Sequence, residues 1–139
     1  MGLFSKLFHK KDVPPGAQPH GDWPWTLNLS GVPGGQPGWD IIVSELRELN
    51  LEDVDSFLIL EQRDPRNPSA YWYIQSALAK AGPCQGQYIV GVGWSAQDHN
   101  QMWELCVPRV EQVIRYFDEA YNKNRLDFSG FEDQSDMLP

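Results

Sequence analysis

Two stretches of aromatic and β-branched residues, YWYIQSALA at 71–79 and QYIVGVGWS at 87–95, are joined only by KAGPCQG, and no other feature constrains the fold as tightly. Such side chains favour a pleated sheet. A connection this short, marked by Gly and Pro, returns the chain antiparallel to itself. Upstream, SFLILEQ at 56–62 is a short apolar run followed by the turn-rich RDPRNP, which reads as a buried central strand and a loop. Downstream of SAQDHN, QMWELCV at 101–107 sets Met102, Glu104 and Cys106 on one side and Trp103, Leu105 and Val107 on the other, the period of a fourth strand. In 87–95, Gly91 and Gly93 alternate with Val90, Val92 and Trp94, leaving one face bare. That strip calls for a closely packed helix or ring, a bend, or a ligand.

Helices flank these strands. Residues 39–49 align Ile42, Leu46 and Leu49 on one face, with Asn50 as the stop. Pro108 fits the first turn of the clearest helix, whose stripe is Val110, Val113, Ile114, Phe117 and Tyr121. The order helix, strands, helix predicts an α+β fold. It takes the form of an antiparallel three- or four-stranded meander with two helices packed on one face, because short connections favour neighbouring strands.

A length of 139 residues accommodates one domain with a core. It is assigned to 39–126. The preceding 12–38 is dense in Pro and Gly; within it Trp23 and Trp25 flank Pro24, so WPWTLNL is expected to lie extended on the core. The tail 127–139 is acidic, with Phe128 and Phe131 able to dock it and Glu132, Asp133 and Asp136 left in solvent.

Residues 1–11 place Leu3, Phe4, Leu7 and Phe8 at helical spacing amid Lys6, His9, Lys10 and Lys11, a short basic amphipathic segment. It reads first as a frayed or self-docked helix, and second as an anchor making membrane contact through those four apolar residues. Lys6 occupies the place where the myristoylation pattern needs Ser or Thr. The opening lacks a secretory h-region and cleavage site, so a cytoplasmic protein with Cys84 and Cys106 reduced is expected. A run of about 18 apolar residues, which a membrane span requires, does not occur.

The balance of 11 Lys+Arg against 19 Asp+Glu gives a formal net charge of −8. It opposes nucleic acid and suits a basic protein partner. Catalytic constellations do not assemble from the sequence. His9, His20 and His99 have no evident nucleophile beside them, with His99 in a polar turn. The phosphate-loop and dinucleotide motifs are missing, and the two cysteines and scattered histidines do not reproduce zinc spacing. DFSGFED does not follow the calcium-loop pattern. Glu61 with Asp64, or Asp98 with Glu104, would serve as acid and base only in an unfamiliar site. The expectation is a protein that is not an enzyme and takes no metal or cofactor.

FLILEQ at 57–62, YIQSA at 73–77, QYIVGVGW at 87–94 and VEQVIRYFDEAY at 110–121 together resemble small bacterial immunity-type proteins of polymorphic or contact-delivered toxin systems. The resemblance spans residues 40–121. It implies a protein that binds and neutralises a cognate toxin, with no chemistry of its own. The partner-binding candidates are Glu61, Arg63, Asp64 and Arg66 in the loop after the first strand, and Asp98, all charged and without an evident role in the core. Two other readings remain: a membrane-peripheral adaptor anchored by residues 1–11, and a small enzyme or ligand binder using the strip at Gly91 and Gly93.

Overall fold

A computed structural model describes residues 16–30, 32–33, 35–49, 56–96 and 99–137. Strands β1 (Trp25–Leu29), β2 (Val32–Pro33), β3 (Phe57–Asp64), β4 (Asn67–Leu78), β5 (Tyr88–Ser95), β6 (Asn100–Val107) and β7 (Glu132–Asp133) make one sheet. Their order is β2-β1-β3-β4-β5-β6-β7, antiparallel throughout. Helices α1 (Trp39–Arg47) and α2 (Val110–Lys123) complete it, with a 3-10 turn at Ser135–Met137. The fold is α+β, but the expected three- or four-stranded meander is corrected to a seven-stranded sheet that continues past both ends of the β3–β6 run.

The added strands have local causes. β1 lies in the Pro/Gly-rich segment and begins immediately after Pro24, which has no N–H to give a ladder. Trp25 and Leu27 then point into the core while Thr26 faces solvent, and the strand pairs with β3 from Trp25 opposite Gln62 to Leu29 opposite Leu58. Ser30, at a φ of 50°, turns the chain into β2. β2 and β7 have two residues each, too short for any periodicity to show. At the other junction the anticipated RDPRNP loop contracts. β3 runs through Asp64 and β4 starts at Asn67, with a register shift between Arg63 and Asp64 and the Asp64 carboxylate accepting the Arg66 N–H at 2.9 Å.

One face of this sheet holds the core. Leu58, Leu60, Trp72, Ile74, Val90, Val92 and Trp94 are sealed there, and Trp103 nearly so. α2 buries Val113, Tyr116, Phe117 and Ala120, with Val110, Ile114 and Tyr121 partly buried against the same cluster. Its stripe is thus broader than expected on the Tyr116 side. Pro108 stands before the N-cap Arg109, whose N–H donates to the Gln112 side chain, and Asn124 ends the helix in the left-handed region. α1 buries Ile42 and Leu46 and stops at Arg47, short of Asn50, while Leu49 beyond its end is still buried. Tyr121 joins the helices by stacking on Trp39 and donating to the Pro37 carbonyl at 2.8 Å.

Segments before β1 and after α2 close the same side. The Trp72 indole donates to the Ala17 carbonyl at 2.6 Å, and the Gln18 amide bonds both N–H and C=O of Leu126. Gln62, fully buried on the core face, is satisfied by the chain at His20 and Trp23. Phe128 packs on Trp94, Trp103 and Phe131, which docks the tail, whereas Glu132 and Asp133 remain exposed even as they pair with β6. Residues 1–11, with Leu3, Phe4, Leu7 and Phe8, lie outside the described residues. Among those described, no helix is long and apolar enough to cross a membrane.

Candidate functional site

Strict alternation along the strands sends every second side chain to the opposite face. There β3 contributes Phe57, Ile59, Glu61 and Arg63; β4 contributes Tyr71, Tyr73, Gln75 and Ala77; β5 contributes Ile89, Gly91, Gly93 and Ser95; β6 contributes Met102, Glu104 and Cys106. Both helices pack on the other face, so among the described residues this outer surface is left half-buried rather than sealed.

Glu61 and Arg63 lie on this face within β3 rather than in a loop. Their pairing is two-pronged, Nε to Oε1 at 3.0 Å and Nη2 to Oε2 at 3.3 Å, and the third guanidinium nitrogen donates to the Pro68 carbonyl at 2.8 Å. The guanidinium also lies 5.7 Å from the centre of the Tyr71 ring, which stacks on Tyr73. Asp64 is occupied by the tight turn and Arg66 is exposed at its tip. The structure therefore gathers Glu61 and Arg63 with two tyrosines and uses Asp64 locally. Asp98 lies outside the described residues.

The glycine strip has a roof. A Cβ at position 93 would overlap the Tyr73 ring, and one at 91 would press on the Gln75 side chain at 3.0–3.1 Å. Both neighbours come from β4, in register with the glycines. The absent side chains thus admit a tyrosine lying across the strand, the ring-packing outcome, and no open slot runs along it. Burial raises the hydroxyl of Tyr73, with Tyr71 and Glu104 adding to the effect; burial likewise raises Tyr71, with Glu61 adding and Arg63 opposing.

Glu104 stands opposite Gly91 on one side and Glu132 on the other, between Met102 and Cys106 on its own strand. Burial pushes its carboxyl above the usual carboxylate range. No described residue gives it a hydrogen bond or an ion pair. A group held more protonated in the folded state makes stability fall as pH rises from the ordinary glutamate value through the raised one. Glu104→Gln should accordingly raise the melting temperature at pH 7 and flatten that part of the pH–stability profile. Scanning calorimetry from pH 4 to 8 checks this, and a lower melting temperature at pH 7 would show that the carboxylate is compensated.

Two concavities meet at this residue. One, of about 400 Å³, is lined by Phe57, Ile59, Gln75, Ala77, Ile89 and Glu104. The other, of about 500 Å³, shares Ile89 and Glu104 and is walled by Pro83, Cys84 and Cys106. That wall is a disulfide. Cys84 and Cys106 are bonded, their Cα atoms 6.1 Å apart, which corrects the expectation of two reduced thiols. The register explains the closure, because Cys106 faces Ile89 across the β5–β6 ladder and the hairpin turn before β5 folds Cys84 back over it.

Sequence reasoning passed over Tyr71, Tyr73, Ile59 and Ile89, and weighed Glu104 only as half of an acid–base pair. The available signal was an acidic residue sharing a face with Met102 and Cys106, opposite a glycine. Among the described residues no group of three His, Cys, Asp or Glu side chains comes together as a metal site would need. No protein-family model, no curated protein and no solved structure matches this chain.

Proposed function

We propose that the protein is a non-catalytic binding module that engages a basic protein partner through the outer face of its sheet. The observation that carries this reading is the face itself: half-buried aromatic and aliphatic side chains with carboxylates among them, on the side opposite the core. Tyrosines backed by a rigid sheet supply contact area at low entropic cost, the composition that anchors interfaces. The net charge of −8 favours encounter with a basic surface and disfavours nucleic acid. A toxin domain with a basic substrate groove, as the immunity-type resemblance implies, is the partner that fits; occluding that groove neutralises it without chemistry. Cytoplasmic placement goes with a reduced chain, whereas the Cys84–Cys106 bond goes with an oxidising compartment. Alkylation of thiols at the moment of lysis distinguishes them.

The test is capture of partners from the native host with the wild-type protein and with Ile59→Lys, which places a cation at the centre of the face and leaves the core untouched. The variant should melt as wild type and lose at least about thirtyfold in affinity, the scale of an interface anchor. Wild-type affinity should also fall with added salt. A partner that binds Ile59→Lys undiminished would move the interface elsewhere. Turnover of a small molecule by the purified protein would remove the binding-module reading altogether.

A further inference from the structure

Resting on that reading of the outer face, we propose that its recognition element is a pocket for an arginine side chain of the partner, with Glu104 receiving the guanidinium and the groove beside Ile89 receiving the alkyl stem.

The carboxylate is half-buried, and no described residue hydrogen-bonds or ion-pairs with it. Among the described residues, the cation that the strands place on this face is Arg63, and it is committed to Glu61 and the Pro68 carbonyl. An apolar or anionic occupant would remove more water from Glu104 and return no hydrogen bond, which is costly for a charge, and a neutral donor would leave that charge unbalanced. An occupant that is cationic at its tip and apolar along its stem satisfies both parts of the site. The two concavities flank Glu104 and share Ile89, so a stem can lie against Ile59 and Ala77 on one side while its charge reaches the carboxylate.

Arginine is preferred over lysine because of Tyr73. Its ring lies across Gly93, in the cross-strand row next to that of Glu104. A planar guanidinium can meet a carboxylate edge-on and stack on a ring face at once, whereas an ammonium is a compact, strongly hydrated point charge. A second copy of this chain is a poor occupant. Face-to-face pairing would bring Glu104 and the neighbouring Glu132 toward carboxylates of the same sign, in a chain of net charge −8.

The probes are n-butylguanidinium, n-butylammonium and n-butanol, titrated into the intact protein at constant ionic strength while isoleucine methyl resonances are followed by NMR. Butylguanidinium should shift Ile59 and Ile89 saturably, with a dissociation constant on the order of millimolar, as a ligand of so few atoms allows. Butylammonium should bind severalfold more weakly and butanol should not saturate. Glu104→Gln, which preserves shape and should fold at least as stably, should weaken the guanidinium at least about tenfold. Equal binding to wild type and Glu104→Gln, or no saturation at all, overturns the pocket even if Ile59→Lys abolishes partner capture and the face reading survives. Butylammonium matching butylguanidinium overturns the choice of arginine. Guanidinium binding combined with a partner indifferent to Ile59→Lys overturns the assignment of the cation to that partner, and it is then the face reading that has failed. A dimer seen by sedimentation and dispersed by Ile59→Lys would give the face to a second copy and likewise overturn the proposal.

Discussion

Phe117→Ala should lower the free energy of unfolding by about 3–5 kcal/mol, the cost of deleting a large ring from a site that cannot collapse. Phe117 is fully buried in the middle of α2, among Val113, Tyr116 and Ala120 on the same helix. The surface beneath it is a rigid sheet carrying Trp72, Ile74 and Val92, whose positions are fixed by ladders on both sides. The vacated volume therefore stays largely empty, and a cavity penalty adds to the lost transfer energy. Against a total stability of about 5–15 kcal/mol for a domain of ordinary size, the loss leaves the protein marginal at 37 °C. Urea unfolding should show a lower midpoint with an unchanged slope, since the same surface is exposed. Ile114→Ala, at a half-buried position of the same helix, should cost distinctly less. Equal costs at the two positions would mean that the helix does not seat on the sheet as described.

The parts of the fold legible in the sequence are those where one chemical pattern decides the outcome. Period-3.6 stripes located both helices, because each presents one apolar face to one surface. FLILEQ and QYIVGVGW are legible as strands, the first as a central one, because short apolar and β-branched runs bounded by turn signals fit a pleated sheet. β1 was harder. Its alternation is only five residues long and is set among prolines and glycines whose local preference is for loops, yet pairing with β3 prevails once Trp25 and Leu27 have a core to enter. β2 and β7 exist only because neighbouring edges were there to accept them, a tertiary effect without a local signature.

The candidate site was less legible, for a related reason. Charged residues without a core role stand out in a sequence, yet Glu61 and Arg63 are occupied with one another and Asp64 with a tight turn. The residues that define the open face are half-buried apolar and aromatic side chains, which in a sequence are indistinguishable from core. Which face of the sheet the helices would cover follows from the connection through α1 from β2 to β3, and from the segments around Gln18 and Leu126, not from any strand read alone.

Reduction of the Cys84–Cys106 bond should cost about 3 kcal/mol of stability while leaving the native fold in place. The bond joins residues 22 apart, and opening a loop of that size returns chain entropy of about this magnitude to the unfolded state. The folded state has little reason to change. The turn carrying Cys84 is held independently by backbone hydrogen bonds from Ala79 to Gln87, from Gly86 to Ala79 and from Gln87 to Cys84, and Cys106 stays paired in the β5–β6 ladder. The loss should therefore appear in denaturant midpoints and not in the near-ultraviolet spectrum at native conditions. The Cys84→Ser/Cys106→Ser variant should match the reduced wild type and be indifferent to dithiothreitol, which separates the bond from side effects of the reductant. Its groove wall is altered as well, so affinity for butylguanidinium should change less than in Glu104→Gln, because the charge that holds the cation is untouched. Oxidised and reduced wild-type protein unfolding at the same denaturant concentration would show that the bond does not restrict the unfolded chain enough to stabilise the fold.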